Sequence, residues 1–135
     1  MAESQTHARL VQAIVSWIAQ TPEYCRGIVL VDSEGSMAGA RPPAVNNYVP
    51  DVYVSGSGKG AIMIGEAKTA RDLERPHSQA QLVAFLTWCA HNDDSLLVVA
   101  VPWYMTRAAR NMLKYLQRRT GADGVSTTVL DGLAG

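Results

Sequence analysis

The chain has no apolar run approaching the roughly 20 residues that a membrane-spanning helix needs, so no membrane role is expected. Its start, Met-Ala-Glu-Ser-Gln-Thr-His, lacks the basic opening and apolar centre of a secretion signal, and a cytoplasmic location is expected. Cysteine is scarce: Cys25 and Cys89 are the only two, with no metal-type spacing. Cys89 falls in an apolar helical pattern and reads as a buried, reduced thiol. No sign of charge is in excess, since 12 Lys and Arg face 12 Asp and Glu. That balance counts against a protein that coats nucleic acid indiscriminately, which needs clustered cations. Internal repeats, low-complexity tracts and domain linkers are also missing. The 135 residues therefore read as one domain, 1–135, large enough for a real core.

One absence is local. Between Val101 and Thr120 there is no acid, while Arg107, Arg110, Lys114, Arg118 and Arg119 all fall there. At 100° per residue, positions 107, 110, 114 and 118 share about 80° of a helix, with Ala109, Met112, Leu113 and Leu116 opposite. A solvated basic face is the ordinary explanation. A stripe without acids also suits tracking of phosphates.

What is present is a succession of short periodic segments. Leu10, Val11, Ile14, Val15, Trp17 and Ile18 predict a helix over 4–19, ended by Thr21-Pro22. An apolar strand is expected over 27–31, and a long loop over 32–47. Two strands follow around 52–55 and 61–69, then a charged, irregular stretch over 70–76. A second helix is expected over 78–91, with Ser78 and Gln81 at capping-box spacing. The segment 95–101 predicts a strand buried on both faces, 106–119 a third helix with Gly121 as its left-handed cap, and 125–130 a final strand. Three strands in series, then alternating helix and strand, predict an α/β domain with a mixed central sheet flanked by helices.

The two middle strands carry the chemistry. If they form a hairpin turning at Gly58-Lys59, Asp51 stands opposite Glu66, with Cβ atoms roughly 4.5–5.5 Å apart. Alternation places Asp51, Tyr53, Ser55, Ile62, Ile64, Glu66 and Lys68 on one face, and Val52, Val54, Met63, Gly65 and Ala67 on the other. Carboxylates at the ends of covered strands are costly to bury unpaired. A divalent cation answers that cost, because Mg²⁺ takes one or two carboxylates and keeps water. Lys68 is placed to orient or deprotonate a water, or to act as a cation. A plain salt bridge between Asp51 and Lys68 is the alternative.

The sequence Pro50-Asp51 … Glu66-Ala67-Lys68 resembles the PD-(D/E)XK nuclease signature, and the element order resembles that superfamily's restriction-endonuclease-like αβββαβ core. The likeness covers roughly residues 3–130. It implies a Mg²⁺- or Mn²⁺-dependent deoxyribonuclease, with Asp51 and Glu66 as metal ligands and Lys68 assisting the nucleophile. It also implies an acidic metal ligand on the first helix, for which Glu3 is the candidate; a solvated charge at a helix start is the alternative. RecB-like members carry Gln-x-x-x-Tyr on the next helix. Here Gln81-Leu82-Val83-Ala84-Phe85 keeps the Gln and replaces the Tyr, with Gln79 a second candidate. Gln81 is thus either a site residue or the cap already noted. The size suits a compact Holliday-junction-resolvase-like endonuclease acting on DNA as a homodimer. The alternatives are a nuclease subunit targeted by a protein partner in restriction, repair or phage defence, and an inactive nuclease-fold binding module.

Other residues are weaker candidates. Lys59 at the hairpin tip, Arg41 in the long loop, and Thr69 and Arg71 beyond Lys68 are placed to meet phosphate. Gly58-Lys59-Gly60 fails as a phosphate-binding P-loop, because Tyr53 and Gly60 stand where Gly and Ser or Thr are required. His77 reads as a helix-start hydrogen-bonding residue, and His7 and His91 form no metal constellation with it. Trp103-Tyr104 would stack on a base or plug the edge of the domain.

Overall fold

In the computed structural model the described residues are 2–32, 41–56 and 61–131, with side chains described from residue 5 onward. Helix α1 spans Ala2–Ala19, followed by β1 (Ile28–Val31), β2 (Val52–Ser55) and β3 (Ile62–Ala67). A four-residue helix α2 (Ala70–Leu73) leads into α3 (Pro76–Ala90) and β4 (Ser95–Ala100). A 3₁₀ turn over Trp103–Met105 then opens α4 (Thr106–Thr120), and β5 (Ser126–Leu130) completes the order.

The five strands form one mixed sheet in the order β1-β2-β3-β4-β5. The pairs β1–β2 and β2–β3 are antiparallel, while β3–β4 and β4–β5 are parallel. Helix α1 covers one face, where Leu10, Ile14 and Ile18 pack with Val52, Val54, Met63 and Val98. Helices α3 and α4 cover the other, where Leu82, Phe85, Leu113 and Leu116 pack with Ile64, Leu97 and Val99. The alternation anticipated for the hairpin therefore divides its side chains between two cores. On the α1 side the approach is close: a Cβ added to Gly65 would stand 3.0 Å from Ile14 Cγ2 and 3.1 Å from Val52 Cβ.

Two local expectations are corrected. The stretch after β3 is not irregular: Thr69 caps α2, its Oγ1 accepting from the Asp72 N–H at 3.3 Å and donating to Asp72 Oδ2 at 3.0 Å. Helix α3 begins at Pro76 rather than Ser78, with Arg75 as the extended cap residue and no side-chain cap. Proline at the first helical position holds φ ready for the helix and forces its predecessor out of it. Ser78 is buried instead of capping. Helix α4 ends as anticipated, with Gly121 left-handed at φ 72°. Cys89 is buried, and burial pushes its thiol up. Among the described residues no helix is long and apolar enough to cross a membrane.

Candidate active site

The hairpin register brings the acidic pair together. Val52 pairs with Gly65 and Tyr53 with Ile64, so the next step along the ladder sets Asp51 across from Glu66. The contact is direct: the Asp51 backbone N–H donates to Glu66 Oε1 at 3.0 Å. The tip, including Lys59, lies outside the described residues. Lys68 follows β3 by one residue, and its backbone N–H donates to the Ala100 carbonyl at 2.9 Å. Asp51, Glu66 and Lys68 thus gather at the edge formed by the C-terminal ends of β3 and β4, the edge at which open α/β sheets present their ligand sites.

Glu66 and Lys68 are buried, at 2 % and 6 % exposure. Lys68 Nζ lies 3.2 Å from Glu66 Oε2 and donates to Gln81 Oε1 on α3. Gln81 therefore belongs to the cluster, and its capping alternative falls with the earlier start of α3. The loop before Asp51 is fastened to the same helix. Asn46 Nδ2 donates to the Ala84 carbonyl at 2.9 Å, and the Tyr48 and His77 rings meet edge-on at 5.7 Å.

Asp51 departs from strict alternation because it precedes β2 by one residue. Its Oδ2 accepts from the Ala67 N–H at 2.8 Å and lies 3.2 Å from His7 Nε2 on α1. His7 is the member that sequence reasoning missed. The signal was available: positions 7, 10, 14 and 18 continue one helical stripe, and the last three are buried. Glu3 lies one turn earlier on α1, and its side chain is outside the described residues.

The groups shift one another's charge. The hydrogen bond to Asp51 raises the His7 imidazole above its ordinary 6.5, overcoming the opposite effect of burial. Burial alone would raise Asp51, but hydrogen bonds from His7 and the Ala67 N–H outweigh it and hold that carboxyl below the usual range. Glu66 is pushed up to about 8, by burial first and by the Asp51 charge second, and the pull of Lys68 does not offset them. A carboxylate held ionised thus stands beside one that holds its proton, a division typical of functional sites. An NMR titration of the His7 imidazole is expected to give a midpoint above 6.5 that falls toward the ordinary value in Asp51→Asn. A midpoint that the substitution leaves unmoved would remove the pair.

The donor set suits one kind of ion. Among the described residues, no three His, Cys, Asp or Glu side chains form a ready metal cage. Two hard carboxylates remain, and Mg²⁺ or Mn²⁺ needs no more, since it completes its shell with water and substrate oxygens.

The remaining candidates stand at graded distances from this edge. Arg71 is exposed on α2, three residues beyond Lys68. Arg107, Arg110, Lys114 and Arg118 are all exposed on α4. That helix leaves the site edge and runs back toward the start of β5, so Arg107 and Arg118 are separated by about 16 Å along its axis. Arg107 and Arg110 lie in the first turns of α4, which follows the C-terminal end of β4, whereas Lys114 and Arg118 lie further along the helix. Arg41 pairs with Asp32 at 2.6 Å. No family model, curated protein or solved structure matches this chain.

Proposed function

We propose that this protein is a Mg²⁺- or Mn²⁺-dependent nuclease of the PD-(D/E)XK type, with a restriction-endonuclease-like core, that hydrolyses DNA phosphodiester bonds. One observation carries the reading: Asp51, Glu66, Lys68 and Gln81, drawn from three elements, converge at one sheet edge. A structural ion pair would not require the second carboxylate or the glutamine.

Asp51 and Glu66 would hold the ion, which when bound supplies positive charge to a phosphodiester and a more acidic water. Lys68, held between Glu66 and Gln81, keeps its Nζ at the site edge, where it orients the attacking water or stabilises charge gathering on the phosphate oxygens. Gln81 fixes the lysine rather than touching substrate. His7 and the Ala67 N–H hold Asp51 in place. Arg71, Arg107 and Arg110 supply cations along the approach.

The test is cleavage of supercoiled plasmid, linear duplex, single strands and a four-way junction in Mg²⁺, Mn²⁺ or EDTA, beside Lys68→Ala. Metal-dependent cleavage falling by about 10²-fold or more in the variant supports the reading. Equal cleavage by both proteins overturns it. Preference for the junction, with light scattering at the mass of two chains, assigns the resolvase-like form and its homodimer. Tight binding without cleavage assigns the inactive binding module, or a subunit that awaits a protein partner.

A further inference from the structure

Trp103 and Tyr104 do not plug the domain edge. They are 60 % and 62 % exposed, and neither joins either core, although their neighbour Met105 does. Single exposed apolar residues are common, but two adjacent large aromatics left in water are informative. Their backbone is fixed. The Met105 N–H donates to the Pro102 carbonyl at 2.8 Å, and Thr106 Oγ1 donates to the Trp103 carbonyl at 2.8 Å. The rings meet edge-to-face, 5.7 Å apart at 89°. In that arrangement an edge of one ring covers part of the other, and open ring surface remains on both.

Their position connects them to the site. Ala100 accepts the Lys68 backbone N–H, and Trp103 is three residues further on, within about 10 Å along the chain. Immediately beyond, Arg107 and Arg110 are exposed, with no acid anywhere from Val101 to Thr120. Open aromatic faces beside exposed cations with no acid on their own helix are the elements with which proteins grip single strands: the cations track phosphates and the rings stack on unpaired bases. A protein partner would need acidic groups to meet the arginines, and nothing here calls for more than phosphate. Stacked duplex bases offer no free face, so the rings add nothing to binding of an intact duplex.

We infer that Trp103 and Tyr104 form a base-stacking platform that selects substrates with unpaired nucleotides beside the scissile phosphate: single strands, single-stranded tails or flaps. The inference deepens the nuclease reading and rests on it for the position of that phosphate. Because the backbone that carries the rings is held by the Met105 N–H and Thr106 Oγ1 hydrogen bonds, only side-chain freedom is lost when a base arrives.

Binding in EDTA, where no cleavage intervenes, tests it by fluorescence anisotropy. The probes are a labelled oligo-dT single strand, the matching oligo-U, and a blunt duplex of equal length. Trp103→Ala/Tyr104→Ala is expected to weaken single-strand binding by about tenfold or more, with duplex binding unchanged and Trp103→Phe retaining most of the affinity. An unchanged melting midpoint for these surface variants shows that folding is not the cause. Equal loss on duplex and single strand, no loss, or a parent protein without single-strand affinity overturns the platform. Affinity for oligo-U matching that for oligo-dT retains the platform and extends the strand it grips to RNA. The two readings separate in the outcome. A parent that cuts plasmid while the double variant still binds single strands removes the platform alone, and platform-dependent binding by a parent that never cuts removes the nuclease alone.

Discussion

Asp51→Ala is expected to lose metal-dependent cleavage by at least about 10²-fold and to unfold more readily, whereas Asp51→Asn loses cleavage with most of its stability kept. Residues that only support a metal ligand cost about 10–100-fold when removed, so loss of a ligand costs more. The stability effect has a separate origin. Asp51 Oδ2 accepts from both the Ala67 N–H and His7, and Ala67 is buried. Alanine at 51 leaves that N–H without a partner, at a cost of about 1–3 kcal/mol. Asparagine keeps an oxygen for it and removes only the charge. Urea unfolding beside plasmid cleavage separates the two effects, and an Asp51→Ala protein as stable as the parent would show that this oxygen does not fasten β3.

Glu66→Gln is expected to abolish cleavage and to change how stability depends on pH. In the parent, Glu66 ionises near 4.5 when unfolded and near 8 when folded. Below 4.5 both states hold the proton. Between these values the unfolded chain releases it while the folded chain retains it, so stability falls as pH rises and the loss is complete above about 8. Glutamine cannot ionise and escapes that loss. Its amide has one acceptor for two donors, the Asp51 N–H and Lys68 Nζ, so the variant starts at a disadvantage in acid. The difference between the two proteins should then move in favour of Glu66→Gln across this window, by on the order of a few kcal/mol. His7, raised by Asp51, also loses its contribution as pH rises. It does so in both proteins, so the difference isolates position 66. In the parent, stabilisation by Mg²⁺ should grow across the same window as the ion displaces the proton. A pH-independent difference in urea unfolding between pH 5 and 9 would show that Glu66 is ionised throughout.

The hairpin was legible because its constraints agree. Two short apolar runs flank a glycine-rich segment, and a turn centred on Gly58-Lys59 gives the register that opposes Asp51 and Glu66, while the mostly apolar character of both faces marks the strands as covered. The α2 cap was also present, as Thr69 and Asp72 at capping-box spacing, but four residues leave too little periodicity to read. At α3 two start signals competed, and Pro76 prevailed over Ser78 because fixed φ acts before any side chain can cap. His7 required tertiary knowledge. Its stripe shows that it faces the sheet, but only the packing of α1 across β2, β3 and β4 shows that the stripe's upper end reaches Asp51. The exposure of Trp103 and Tyr104 was undecidable for a similar reason: two aromatics after a buried strand are compatible with a plug or a platform until the neighbouring helix is placed.

Gly65 and His7 together tie the site's lifetime to its first helix. With no side chain at 65, Ile14 comes down onto the sheet, and α1 sits low enough for His7 to meet Asp51. Any excursion in which α1 lifts or its first turns fray takes His7 from the carboxylate at the same moment and leaves the Ala67 N–H to hold it. The fraction of molecules with Asp51 held by His7 therefore cannot exceed the fraction with α1 docked. In hydrogen-exchange terms, the first turns of α1 and the His7–Asp51 contact are expected to open together, although 44 residues separate His7 from Asp51.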